Sequence, residues 1–145
     1  TDMVEELTAI AQAEMEHFGM VLEKIKARGF TLGHERKDDY VGQLSKFIKR
    51  GGSREGQIVD RLLFAAMIEA RSCERFKMLS ERIEDAELAE FYRELMISEA
   101  GHYTTFLKLA RKYGGGIDVD ARWQKCLEFE ADIIQNYGKK ETMHG

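Results

Sequence analysis

Proline is absent from all 145 residues, which removes the commonest breaker of long helices. Cysteine is nearly absent too. Two residues, Cys73 and Cys126, make no disulfide framework and suit a reduced cytosol, so a cytoplasmic location is expected. No run approaches 18 apolar residues, which excludes a membrane-spanning helix and leaves no membrane partner. The start, Thr1-Asp2-Met3-Val4-Glu5-Glu6, lacks the pattern of a secretory leader and reads as the front or middle of a helix. Neither sign of charge dominates: 22 bases against 26 acids leave −4, which excludes a strongly basic nucleic-acid binder but not a local basic patch. Period-two alternation is missing as well, so no strand is expected. What remains is 43% hydrophobic and 33% charged, enough apolar surface for one core and one domain over residues 1–145.

Glycine punctuates that domain. Leu7, Ile10, Ala11, Phe18, Val21, Leu22 and Ile25 recur at three-four spacing, predicting a helix from about Asp2 to Arg28 closed by Gly29. A polar connection from Phe30 to Asp39 precedes a short helix over Tyr40–Arg50, and Gly51-Gly52 ends it, with Ser53 placed to cap the next. Long helices follow over about Arg54–Arg82, Asp85–Tyr113 and Val119–Tyr137, leaving a polar tail. The fold class is all-α, a bundle of long helices joined by short loops.

Three of these helices carry carboxylates where apolar residues belong. Glu14 lies four after Ile10 and seven after Leu7, and His17 lies four before Val21. Glu99 follows Leu95 by four, and His102 precedes Phe106 by four. Glu74 sits seven after Met67 and four before Met78. A buried, unpaired carboxylate costs several kcal/mol, so such groups call for a cation or dense hydrogen bonding. Glu and His three apart project from one side of a helix, and their mixed donors suit a redox-active divalent metal. Paired E-x-x-H turns with bare glutamates on other helices form the di-iron or di-manganese pattern of ferritin-like bundles. The spacing alone is weak, because 18 Glu and four His give about 0.5 chance E-x-x-H matches. Placement on the apolar stripes carries the argument, and by that standard the third match, Glu141–His144, is chance. Glu69 and Arg71 are expected either to orient the ligands or to form a buried ion pair. Gly19 and Gly101, each costing about 1 kcal/mol in a helix interior, imply either space beside a site or close helix packing.

The strings Glu14-Met15-Glu16-His17-Phe18, Ile68-Glu69-Ala70-Arg71-Ser72-Cys73-Glu74-Arg75-Phe76 and Phe91 through His102 resemble the bacterial tRNA 2-methylthio-isopentenyladenosine hydroxylases. Asp60-Arg61-Leu62-Leu63 extends the resemblance, which spans nearly the whole chain. It implies a ferritin-like four-helix bundle with an extra C-terminal helix and a non-haem di-iron centre of two iron ions. It also implies O2-dependent hydroxylation, by a monooxygenase, of the isopentenyl group on an adenosine next to the tRNA anticodon. By motif match the ligands, and hence the catalytic residues, would be Glu14, His17, Glu74, Glu99 and His102. The family's bundle opens with a further helix bearing a bare Glu. None precedes Thr1, so an N-terminally incomplete domain with five of six protein ligands is expected.

An external electron donor is implied, since no strand-linked G-x-G-x-x-G offers a flavin or nicotinamide site. The residues do not fix the oligomeric state. A tRNA partner is compatible with the charge pattern: Glu23–Arg54 holds nine bases and four acids, a local +5 against −9 elsewhere. Phe30 and Tyr40 in this stretch could stack on a base or belong to the core. The competing reading is a generic ferritin-like protein that handles iron or reduces peroxide; rubredoxin-type C-x-x-C pairs, which would favour it, are absent.

Overall fold

The computed structural model describes residues 2–34 and 36–136, and all regular structure among them is helical. The expected tail motif Glu141–His144 lies outside the described residues. The chain divides into two compact units, Thr1–Lys37 and Asp38–Gly145.

The first unit is dominated by α1, Asp2–Ala27. Asp2 and Glu5 at its start and Lys24 and Lys26 at its end complement the helix dipole. It ends as the sequence requires. Gly29 adopts φ +75°, its N–H donates to the Lys26 carbonyl at 2.9 Å, and the Phe30 N–H donates to Ile25 at 3.1 Å. This paired closure satisfies carbonyls that would otherwise be orphaned.

The second unit begins with α2, Asp39–Leu44, capped by the Asp38 carboxylate accepting from Val41 N–H at 3.2 Å. The helix is shorter than its pattern implies. It tightens into a 3-10 turn, Ser45–Phe47, and Ile48 is already extended, because Lys49 donates its N–H to the Asp60 side chain at 3.0 Å. Helix α3, Arg54–Arg82, starts on Ser53, whose hydroxyl accepts from Gly56 N–H at 3.0 Å. A short link carrying the cap Asp85 leads into α4, Ala86–Tyr113, and the two long helices pack together as a hairpin. Gly114 then ends α4 where any larger residue would collide: a Cβ would lie 2.8 Å from the Ala110 carbonyl and 2.9 Å from Val119. The close approach lets α5, Val119–Asn136, return against α3.

Tyr40, Leu44, Val59, Leu63, Ala66 and Cys126 are fully buried and form the centre of this unit, with Phe47, Met67, Leu95 and Ala110 around them. Burying each large side chain contributes roughly 1.5–3 kcal/mol. One ion pair crosses this core. Arg122 of α5 donates through Nε and Nη2 to the two Asp60 oxygens at 2.7 and 2.9 Å, and its Nη2 also reaches the Phe47 carbonyl at 3.1 Å. Its guanidinium lies 3.9 Å from the centre of the Phe47 ring. Tyr40 is therefore core, whereas Phe30, in the first unit, is 68% exposed.

Candidate metal centre

The centre is built on the facing stretches of α3 and α4. Buried positions on α3 run Val59, Leu62, Ala66, Glu69, Phe76 and Ser80, a single three-four stripe with one acid in the middle. On α4 the stripe runs Phe91, Leu95, Glu99, Phe106, Leu109 and Ala110, again with one buried acid. His102, one turn beyond Glu99, is half-buried. One ligand atom from each of Glu69, Glu99 and His102 lies within 4.8 Å of the others. His102 Nδ1 is 3.8 Å from Glu69 Oε2, and Glu99 is only 5% exposed. Two carboxylates at this separation in an apolar core repel one another, and a divalent cation between them offsets that repulsion.

Of the sequence-derived set, Glu99 and His102 come together here. Glu14 and His17 come together on α1, where His17 Nδ1 lies 3.5 Å from Glu14 Oε1. Glu74 does not join the cluster. Its side chain is 70% exposed and pairs with Arg71 Nη1 at 2.7 Å. The stripe through Met67 and Met78 that made Glu74 look buried leaves the core as α3 proceeds, and Met78 is itself exposed. Glu69 takes the inward position, and its spacing contains the signal: it lies three after Ala66, seven after Leu62 and seven before Phe76.

Arg71 forms no ion pair with Glu69. Its Nε meets Glu130 Oε1 at 3.3 Å, and Glu130 also accepts from the buried Tyr40 hydroxyl at 3.2 Å. Glu130 thus ties α5 to α3 two residues from Glu69. Burial, with the Glu130 charge adding to it, pushes the Tyr40 hydroxyl well above its ordinary pKa. Burial also raises the Cys73 thiol on α3, and the Glu99 and Glu74 charges reinforce it. A Cβ at Gly101 or Gly19 would meet nothing within 4 Å among the described residues.

The family model described as tRNA-(MS[2]IO[6]A)-hydroxylase (MiaE) matches residues 1–145. The chain belongs to this family. It is 34% identical, over 99% of its length, to the tRNA 2-(methylsulfanyl)-N(6)-isopentenyladenosine(37) hydroxylase of Pseudomonas putida. It is 31% identical, over 98% of its length, to the enzyme of the same name from Salmonella typhimurium. The chain spans 68% of the first relative and 51% of the second. Among solved structures it resembles "Protein 43 with aldehyde deformylating oxygenase activity from Synechococcus". That match has a TM-score of 0.83 and 31% identity, covering 97% of this chain and 71% of the other. The MiaE fold here is the all-helical, ferritin-like fold of an oxygenase.

Proposed function

We propose that this MiaE chain hydroxylates the isopentenyl group of a hypermodified adenosine next to the tRNA anticodon, using O2 and two iron ions. The convergence of Glu69, Glu99 and His102 supports the reading most directly. Two carboxylates and an imidazole are a donor set that a divalent iron ion takes. By motif, Glu14 and His17 supply the second E-x-x-H pair of ligands, and Glu69 rather than Glu74 supplies the ligand from α3. The relatives' names do not favour iron handling or peroxide reduction.

Iron in such a centre supplies O2 activation for attack on an unactivated C–H bond. One oxygen atom enters that bond and the other leaves as water. The balance therefore needs two protons and two electrons from an external donor. The chain's own residues hold and shield the site. Leu95 and Phe106 stand one turn either side of the Glu99–His102 pair and keep water out. The Glu130–Arg71 pair positions the α3 turn that carries Glu69. Among the described residues no helix is long and apolar enough to cross a membrane, and we place the reaction in the cytoplasm, where tRNA is met.

The test is to incubate the iron-loaded protein with O2, a reductant and tRNA from a hydroxylation-deficient strain, then to weigh the modified nucleoside. One added oxygen atom is expected. An unchanged mass refutes the reading.

A further inference from the structure

Residues 45–54, Ser-Lys-Phe-Ile-Lys-Arg-Gly-Gly-Ser-Arg, hold four cations and no carboxylate. Lys46, Lys49, Arg50 and Arg54 are all exposed, and none of their side chains forms an ion pair with a described residue. Exposed bases elsewhere in this unit lie apart in sequence, some neutralised, as Arg93 is by Glu90 at 3.6 Å and Arg111 by Asp120 at 2.7 Å, and some not, as Lys77 and Lys108; the turn differs in gathering its cations in one short stretch. Of the nearest acids that follow in sequence, Asp60 is buried under Arg122, and Glu55 is exposed on the first turn of α3 and forms no ion pair with these four cations.

The turn is also held firmly. Phe47 is buried beneath the Arg122 guanidinium, the Lys49 N–H is bonded to Asp60, and Gly51 and Gly52 take φ of +88° and +85° to bring the chain into α3. A cavity of about 200 Å³ opens beside it, walled by Lys49, Gly51, Gly52, Ser53 and Arg122 among others. A cluster of unneutralised cations on a firmly held backbone keeps its attraction for a polyanion and needs no reordering of the chain on docking.

We infer that the Lys46–Arg54 turn is the surface that docks the phosphate backbone of RNA, an inference that rests on the tRNA reading above. Two classes of polyanion could meet such a surface, and its lack of exposed apolar side chains favours nucleic acid over an acidic protein. Protein interfaces centre on large apolar or aromatic residues. Among the described residues the exposed large hydrophobic side chains, such as Phe18, Phe30, Met78 and Ile97, all lie outside this turn. Backbone docking needs only cations and backbone groups at the rim.

The experiment follows binding of a labelled anticodon stem-loop RNA to the protein by fluorescence anisotropy across a salt series. The triple variant Lys49→Ala, Arg50→Ala, Arg54→Ala removes exposed side chains without ion pairs, and circular dichroism checks that its helices are intact. Each lost phosphate contact lowers the slope of log K against log salt by roughly one, so the triple variant should lose about two to three. Its affinity at about 0.1 M salt should fall on the order of 100-fold. A control variant, Lys77→Ala with Lys108→Ala, should stay within about twofold of the parent by the same reasoning. If the parent binds and the triple variant binds equally well with the same slope, the docking surface is wrong while the tRNA reading stands. If the parent fails to bind the RNA even at low salt, both fall. Displacement of the RNA by poly-glutamate as readily as by a competing RNA overturns nucleic acid as the occupant.

Discussion

Helix α3 buries two carboxylates nine residues apart, Asp60 and Glu69, and their surroundings are opposite. Asp60 meets a guanidinium through both oxygens and accepts a backbone N–H as well, so its charge is matched where it lies. Glu69 faces a second buried carboxylate, Glu99, with His102 beside them. The first arrangement is scaffold, since it joins α3, α5 and the turn before α3. The second concentrates negative charge in the core, a cost that makes sense when a cation occupies it. Burial alone does not separate a structural acid from a functional one. The sign of what each acid faces does.

The largest effect is expected from unbalancing the scaffold. Asp60→Ala leaves the partly buried Arg122 without its carboxylate and should cost about 3 kcal/mol in urea unfolding. A loss below about 1 kcal/mol would deny the pair its structural role.

Cys126 sharpens the same side. Burial pushes its thiol up from 9.0 to about 12; Arg122 pulls it down, and Glu130 and Asp60 push it up. A folded pKa above the unfolded one gives stability that is whole below pH 9.0 and is lost as pH rises toward about 12. Between pH 8 and about 10.5 the parent should therefore lose about 2 kcal/mol more unfolding free energy than Cys126→Ala does. Equal losses would place the thiol in water in the folded state.

On the site side the effects on stability are smaller. Gly101→Ala adds a methyl group that meets nothing, so thermal denaturation should show a gain of up to about 1 kcal/mol. A destabilised variant would mean that something packs there. Glu74→Ala removes an exposed ion pair and should change stability by less than about 0.5 kcal/mol in urea unfolding.

The helices were legible because their signals are local: three-four periodicity, Ser53 as a cap and Gly29 as a stop. The Tyr40–Arg50 segment was less so. Its early tightening depends on Asp60, which reaches back from the next helix to take the Lys49 N–H. Both E-x-x-H turns could be read from spacing, whereas the α3 acid that lies beside Glu99 and His102 is Glu69, five residues before the Glu74 that the stripe pointed to. Two methionines bracketed Glu74 and imitated a core stripe, and only tertiary packing reveals that Met78 is exposed. Likewise nothing adjacent to Glu130 announces its bond to Arg71, a contact between helices far apart in the chain.

We propose that α3 contributes Glu69, and not Glu74, to a metal centre. The direct measurement is the iron content of the purified parent, Glu69→Gln and Glu74→Gln proteins, taken by elemental analysis under identical loading. Iron retained by the parent and by Glu74→Gln, but lost from Glu69→Gln, is the predicted result. Full iron in Glu69→Gln together with loss in Glu74→Gln would contradict it.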